Sequence, residues 1–245
     1  MRKFFFRPQD RSGDIVSLSE GESHHIRSVL RLHAGRHVEL FDGDGGIHRA
    51  ELIEMGERVR ARIVSSAYGD APLSVPLRVG QGLLKGKTMD VVVQKCTELG
   101  VQGLAPLLTS RCQGRPEADR DRKKHQRWLR IVEEACKQCG RARPMELSET
   151  EAFRDFIRSP AAEAAGLKLL FWEEEHEVCL RDLLPLDAAA GVCILLGPEG
   201  GFSAEEVAAA REAGWRTVSL GRRILRAETA TLAAAAILQH LLGAM

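Results

Sequence analysis

From residue 73 onward, short apolar segments without polar interruptions alternate with longer amphipathic segments. Continuous apolar strands are typical of a parallel sheet that helices cover on both faces. Strands are predicted at Leu77–Leu84, Val101–Leu108, Leu167–Trp172, Val192–Leu196 and Thr217–Leu220. Helices are predicted at Met89–Leu99, Asp121–Cys139, Ala204–Ala213 and Ala227–Leu242. The pattern therefore predicts an α/β domain built on a mostly parallel sheet.

The first 72 residues have a different, β-rich pattern. Two apolar segments, His37–Phe41 and Ile47–Ile53, flank a Gly/Asp-rich stretch, which predicts a hairpin. Arg58–Val64 alternates polar and apolar residues like a third strand, and Ser23–Leu32 is a candidate short helix. We expect a small barrel over residues 1–72, then a linker within Tyr68–Pro72 and the α/β domain over 73–245.

Overall composition gives little direct information about function. The net charge is +1, and no run of about 18 apolar residues predicts a membrane helix. No signal peptide is recognisable, and the six cysteines include only one C-x-x-C pair, Cys136 and Cys139, inside a predicted helix. A zinc site would need a second ligand pair. We therefore expect a cytoplasmic protein with reduced thiols, no bound metal and no membrane contact.

Two glycine-bearing loops directly follow predicted strands. Ligands of parallel sheets bind at the carboxyl ends of strands, and glycines allow close approach of the backbone. The predicted ligand contacts are Leu196, Gly197, Gly200 and Gly201 in the first loop, and Leu220, Gly221, Ile224 and Leu225 in the second. The first loop alone could be an ordinary strand-to-helix turn. Ile224 and Leu225 could form an apolar slot for an adenine ring or anchor the loop to the core.

A third segment, Gly82–Thr88, approaches the phosphate-binding pattern G-x-x-x-x-G-K-[ST] without matching it. The pattern requires its first glycine at position 81, which is Gln81, so nucleotide hydrolysis is disfavoured. Lys85 and Lys87 could contact RNA phosphates or could be solvated lysines at a helix start.

Positive charge is concentrated in residues 111–143. This stretch holds 11 Lys and Arg against five Asp and Glu, an excess of +6. A local basic stripe is the pattern expected for contact with a phosphate backbone, although a solvated helix face is an equal alternative. Arg122, Lys123 and Lys124 are the candidate RNA contacts in this stretch.

The two glycine loops carry a specific family resemblance. The segments Gly197–Gly201 and Ile224–Ala230 resemble those of the bacterial RsmE family, which belongs to the SPOUT superfamily of methyltransferases. Other matching stretches are His24–Arg31, Gln94–Val101 and Arg127–Arg141, so the resemblance spans nearly the whole chain. One departure is Cys139, where the family pattern leads us to expect a serine.

The resemblance implies a fold, a cofactor and a substrate. It implies an N-terminal PUA-like β-barrel for RNA and a C-terminal SPOUT domain tied in a trefoil knot. It also implies a homodimer that uses S-adenosylmethionine (SAM) to methylate uridine N3 in 16S ribosomal RNA of the small subunit, at the m3U1498 site. His25 and Arg31 lie in a matching stretch and are further candidate RNA contacts.

Catalytic roles are assigned to two residues of the second loop. Arg226 is predicted to hold the uracil oxygens while negative charge develops on the base. Glu228 could accept the N3 proton, orient Arg226, or serve only as an acid at the helix start. A catalytically silent RNA-binding module, a P-loop-like nucleotide enzyme and a SPOUT methyltransferase with another RNA target remain alternatives.

Overall fold

A computed structural model describes residues 1–69, 75–112, 118–186 and 190–245, with only the backbone described at residues 118 and 120. The chain forms two compact units. One comprises Met1–Pro72 and Glu133–Pro144, and the other comprises Leu73–Val132 and Met145–Met245. The predicted boundary between residues 72 and 73, and the linker residues 70–72, lie outside the described residues.

The N-terminal unit is built on a six-stranded sheet with the order β1-β4-β5-β6-β3-β2. β1 pairs in parallel with β4, and the other neighbours are antiparallel. The predicted hairpin is confirmed as β4 and β5, and the third predicted strand is β6. The strands are β1 Lys3–Phe5, β2 Arg11–Ser12, β3 Ile15–Ser17, β4 His37–Phe41, β5 Gly46–Met55 and β6 Val59–Tyr68.

The turn of the hairpin is organised by Asp42. Its Oδ1 accepts hydrogen bonds from the Asp44 and Gly46 amides, both at 2.8 Å, and its Oδ2 lies 3.1 Å from His48 Nε2. Burial alone would raise the pKa of the Asp42 carboxyl, but these hydrogen bonds outweigh it and hold the pKa below its usual value. The Gly/Asp-rich stretch is therefore a side-chain-capped turn.

The predicted helix Ser23–Leu32 is wrong in its geometry. α1 spans Glu20–His24 and continues as a π-helical turn over His25–Val29, in which the Leu30 amide donates to the His25 carbonyl at 2.9 Å. This five-residue spacing is wider than an α-turn. Ile26 faces the core, while Val29, which would share that face in a regular α-helix, is 63% exposed.

The C-terminal unit contains the predicted parallel sheet. Its order is β10-β8-β7-β12-β11-β13, with β9 beside β8, and every described pair in it is parallel. The strands are β7 Leu77–Gly82, β8 Gly103–Leu108, β9 Glu146–Leu147, β10 Glu151–Ala152, β11 Leu167–Phe171, β12 Val192–Leu196 and β13 Arg216–Val218. All five predicted strands are present within a few residues of their predicted ends.

The four helices predicted after residue 73 begin and end within a few residues of their predicted limits. Gly100, with φ +79°, follows α2 in the left-handed conformation that commonly ends a helix. Ser203 and Glu206 form a capping box at the start of α6. The longer helices are α2 Thr88–Glu98, α3 Ala118–Cys139, α6 Ala204–Glu212 and α7 Ala227–Leu241, and the one-turn helices are α4 Phe153–Phe156 and α5 Pro160–Glu163.

Buried apolar side chains hold the middle of this sheet together. Leu107, Leu195, Phe202 and Trp215 belong to one buried cluster, and the Trp215 indole donates to the Ile157 carbonyl at 3.1 Å. Because β7, β12, β11 and β13 are neighbours, their carboxyl ends lie along one edge of the sheet.

Within the described ranges, no helix combines the length and apolar character needed to cross a membrane.

Candidate active site

A cavity of about 770 Å³ opens where β11, β12 and β13 end. We call it the strand-end cavity. Thr88, at the start of α2, also contributes to its wall. The segments after the three strands supply the other lining residues: Phe171, Trp172, Glu173 and His176; Leu196, Gly197, Pro198, Glu199 and Gly201; and Ser219 to Glu228 with Ala230.

Seven of the eight predicted cofactor contacts lie on this cavity. They are Leu196, Gly197, Gly201, Leu220, Gly221, Ile224 and Leu225. The eighth, Gly200, is not among the described lining residues, and its carbonyl accepts a hydrogen bond from Arg111 Nη1 at 2.9 Å. Ile224 is 84% exposed, so it does not anchor its loop to the core.

The first loop needs two of its glycines for its own packing. A Cβ on Gly197 would lie 3.1 Å from the Gly201 Cα, closer than side chains normally approach. Gly201 has φ +68°, and a Cβ there would collide with the Glu173 carboxylate. The Gly201 amide also donates to the Pro198 carbonyl at 2.9 Å. The loop is therefore a tight turn pressed against the segment that follows β11.

A fully buried amide, Gln81, ties this loop to two other elements. Gln81 Nε2 donates to the Gly82 carbonyl at 3.0 Å and the Gly197 carbonyl at 3.1 Å. Its Oε1 accepts a hydrogen bond from Thr231 Oγ1 on α7. The side chain that breaks the P-loop pattern thus fastens β7, the first glycine loop and α7 together.

The segment that resembles a P-loop is also engaged by the protein itself. Glu199 Oε1 accepts a hydrogen bond from the Lys85 amide at 2.9 Å. A phosphate-binding loop would keep such amides free for the ligand. Gly82 packs against Pro198, since a Cβ on it would lie 2.5 Å from the proline Cδ. These contacts argue against nucleotide binding by Gly82–Thr88.

The predicted catalytic pair lies on the wall of the same cavity. Arg226 occupies the N-cap position of α7 and is exposed, and Glu228 is half-buried in the first turn of that helix. Neither side chain has an ion-pair partner among the described residues. Both are therefore available to a ligand. Arg222 and Arg223 add two further exposed guanidinium groups.

The sequence reasoning missed the wall that follows β11. Trp172, Glu173 and His176 line the cavity, and Trp172 Nε1 is buried without a hydrogen-bond partner among the described atoms. The Arg211 guanidinium lies 5.6 Å from the Trp172 ring centre. The rule that ligands bind at strand ends would have found this segment. It was overlooked because no glycine follows this strand.

Glu175 holds the missed wall in place. This buried carboxylate accepts hydrogen bonds from Thr217 Oγ1 at 2.6 Å and from the Glu177 amide at 2.9 Å. The Thr217 hydroxyl, the backbone amides and Arg211 outweigh burial and lower the pKa of Glu175. The segment after β11 is thus braced against β13.

The predicted RNA contacts are spread over both units, and none lines the strand-end cavity among the described residues. In the C-terminal unit, Lys85, Lys87, Arg122 and Lys123 are exposed, and Lys124 pairs with Asp121 at 3.0 Å. In the N-terminal unit, His25 is half-buried beside Phe4, and Arg31 is exposed with φ +50°. Arg115, counted in the basic excess, lies outside the described residues.

All six cysteines are free thiols. Burial raises the pKa of Cys96 and Cys193 to about 12 each, so neither is a reactive thiolate near neutral pH. Over the described ranges, no group of three or more His, Cys, Asp or Glu side chains is arranged to hold a metal ion.

Comparison with known proteins agrees with this geometry. A family of RNA methyltransferase domains matches residues 71–239, and a family of RNA methyltransferase PUA domains matches residues 18–64. Ribosomal RNA small subunit methyltransferase E of Aquifex aeolicus is 31% identical over 243 residues, which cover 96% of this chain and 98% of the relative. The Synechocystis enzyme of the same name is 31% identical over 227 residues, with 93% and 73% coverage.

A solved structure extends the similarity to three dimensions. The crystal structure of a ribosomal RNA small subunit methyltransferase E from Neisseria gonorrhoeae bound to S-adenosyl methionine aligns with a TM-score of 0.87. It is 33% identical and covers 98% of each chain. Two parts of the predicted fold class are confirmed, since the parallel sheet is of the SPOUT type and the N-terminal sheet belongs to a PUA domain, while the trefoil knot stays a prediction. The chain belongs to the ribosomal RNA small subunit methyltransferase E family.

Proposed function

We propose that this methyltransferase transfers a methyl group from SAM to N3 of one uridine in 16S ribosomal RNA, at the m3U1498 site of the small subunit. The main observation that supports this proposal is the strand-end cavity. It is lined by both glycine loops and by Arg226 and Glu228, which have no ion-pair partner among the described residues. The Neisseria gonorrhoeae relative that aligns over nearly the whole chain is described as bound to S-adenosyl methionine.

The lining residues fit such a cofactor. The cavity volume is within the range of roughly 300–1,000 Å³ typical of small-molecule sites. Ile224 and Leu225 would contact the adenine, and the backbone at Gly197, Gly201 and Gly221 would allow close approach. Gly200 does not line the described cavity, so we propose that it supports the loop and does not contact SAM.

The chain's own residues would align and activate the nucleophile. When bound, SAM supplies a methyl group that its sulfonium already activates. Arg226 would donate to the uracil oxygens and stabilise the negative charge that develops when N3 loses its proton. Glu228, half-buried on the same wall, would accept that proton or orient Arg226.

The test combines calorimetry with a methylation assay. We expect the purified protein to bind SAM and S-adenosylhomocysteine but not ATP, and to methylate small ribosomal subunits in vitro. Mass spectrometry of nuclease digests would locate the modified base. Binding of ATP alone would favour a nucleotide enzyme, and RNA binding without SAM binding would favour a silent module. If the methyl group is found on another base, the protein is still a methyltransferase, but the proposed uridine N3 target is wrong.

Several structural aspects of the proposal come from the family resemblance. We propose a trefoil knot in the SPOUT domain, domains at residues 1–72 and 73–245, and a cytoplasmic homodimer. Val91 on α2 and Ile237 and Leu241 on α7 are 38–44% exposed although these two helices pack together. Such an apolar face is consistent with a partner subunit. Light scattering that gives a monomer mass at working concentrations would reject the dimer.

Replacement of Arg122, Lys123 and Lys124 by glutamine is expected to weaken RNA binding and flatten its salt dependence. Each lost phosphate contact should reduce the salt slope by about 0.7–0.9, because fewer counterions are released. Filter binding to small subunits across a salt series measures this slope. SAM affinity should not change.

A matched variant removes the same charge elsewhere in the C-terminal unit. Arg154, Arg158 and Arg181 are exposed, and none lies on α3 or the strand-end cavity. Their replacement by glutamine should leave the slope nearly unchanged. If both triple variants behave alike, α3 has only a solvated basic face.

A further inference from the structure

A second cavity lies wholly within the N-terminal unit and has a volume of about 590 Å³. We call it the Arg2–Arg36 cavity. It is lined by Met1, Arg2, Leu32, Gly35, Arg36 and His37. Its polar side chains are two guanidinium groups and an imidazole, and none of its lining residues is acidic. A concave surface with this charge is suited to an anionic ligand.

The backbone that carries these side chains is held firmly. The Arg2 carbonyl accepts a hydrogen bond from the Glu39 amide at 2.9 Å, which continues the pairing of β1 with β4. The Arg36 carbonyl accepts from the Leu52 amide at 2.9 Å, and the Gly35 amide donates to the Leu52 carbonyl at 2.7 Å. The backbone positions of both arginines are therefore fixed by the sheet.

No ion pair among the described residues neutralises the positive charge of this cavity. Elsewhere in the unit, Arg58 pairs with Asp10 at 2.7 Å and Arg60 with Glu54 at 2.9 Å. Arg2 and Arg36 have no ion-pair partner among the described residues. The acids at neighbouring register positions, Glu39 opposite Lys3 and Glu51 opposite His37, do not line the cavity.

We propose that the Arg2–Arg36 cavity binds the phosphate–ribose backbone of the ribosomal RNA substrate. The planar guanidinium groups of Arg2 and Arg36 match phosphate oxygens in a bidentate geometry. His37 adds a donor, and Leu32 offers an apolar surface to a ribose. Contacts to phosphate and sugar position an RNA without reading its sequence. This site rests on the proposed function, and it would orient the substrate rather than choose the target base.

The double variant Arg2→Gln/Arg36→Gln tests the site, with Arg60→Gln/Arg62→Gln as a control. The control residues are exposed on β6 and absent from the cavity lining, so both variants lose two charges from the same unit. Binding to small ribosomal subunits is measured by filter binding from about 50 to 200 mM salt, the range in which phosphate contacts dominate. Thermal melting and SAM calorimetry verify that both variants fold.

The double variant is expected to bind small subunits about tenfold more weakly than the control, with a salt slope lower by about 0.7 or more. Its KM for the subunit should rise while kcat and SAM affinity stay the same. Arg36→Lys should retain part of the affinity, because the lysine ammonium keeps the positive charge but cannot bind a phosphate through two parallel hydrogen bonds as a guanidinium does. Equal affinities and slopes for the double variant and the control would overturn the proposal.

Failure of the proposed function gives a different result. If the wild-type protein methylates no ribosomal RNA, that function fails whatever the variants do. Titration with inorganic phosphate, followed through the backbone amide signals of Gly35 and Arg36, then examines the cavity alone. Phosphate-dependent shifts in a protein without affinity for small subunits would overturn the RNA assignment, because the cavity would serve another anion.

Discussion

Substitution of Arg226 by alanine is expected to lower the single-turnover methylation rate by ~100-fold or more, on the order of 2.7 kcal/mol. Arg226 lines the strand-end cavity at the start of α7 and has no ion-pair partner among the described residues. If it stabilises charge on the base only as N3 loses its proton, its loss affects the transition state more than either ground state. Affinities for SAM and RNA should therefore change far less than the rate.

Two further variants distinguish a catalytic role of Arg226 from a structural one. Lysine at this position should restore only part of the rate, because a point charge cannot hold two acceptors as a planar fork does. Arg222→Ala removes an exposed guanidinium from the same loop and should leave the rate much closer to that of the wild type. If Arg226→Ala instead reduces SAM affinity and rate in parallel, the residue braces the loop and is not catalytic.

Substitution of Gly201 by valine is expected to weaken SAM binding at least tenfold, about 1.4 kcal/mol. The backbone at Gly201 has φ +68°, which a β-branched residue rarely adopts, and the new Cβ would collide with the Glu173 carboxylate. The loop must then shift away from the cavity it lines. Calorimetry with SAM, beside a melting curve that verifies folding, measures the effect.

A double variant separates the two causes of that loss. In Gly201→Ala/Glu173→Ala the collision is gone while the backbone strain remains, so this variant should bind SAM more tightly than Gly201→Ala alone if the collision dominates. Glu173 also lines the cavity, and Glu173→Ala alone is therefore needed as the reference. Unchanged SAM affinity in folded Gly201→Val would remove the first glycine loop from the site.

The sequence predicted the parallel sheet well because buried strands are recognisable from local composition alone. Elements missed by this reasoning are short and depend on distant partners. β1 has three residues and exists through its parallel pairing with β4, more than thirty positions away. β9 and β10, two residues each, depend in the same way on β8. The π-helical turn at His25–Val29 followed no apolar periodicity, so the predicted helix placed Val29 on the wrong face.

At the site, the glycine loops were predictable because a strand end followed by glycines is a local pattern. The wall after β11 was not recognised, since Trp172 and Glu173 resemble any polar strand end. The role of Gln81 could not be predicted at all, because its partners Gly197 and Thr231 lie 116 and 150 positions away. Sequence reasoning assigned the glycines to ligand approach, whereas the fold shows that Gly197 and Gly201 also serve the packing of the loop.

The buried amide at Gln81 also restricts how this protein can diverge. The Gln81 amide donates to two backbone carbonyls, and its oxygen faces the Thr231 hydroxyl, which also lies 2.9 Å from the Ala227 carbonyl. A glutamate would place carboxylate oxygens against both carbonyls, and a leucine would remove the donor that both carbonyls share. Residues 81 and 231 should consequently vary together among homologues. A lineage that loses the hydroxyl at 231 should replace the amide at 81 as well, or have a less stable first glycine loop.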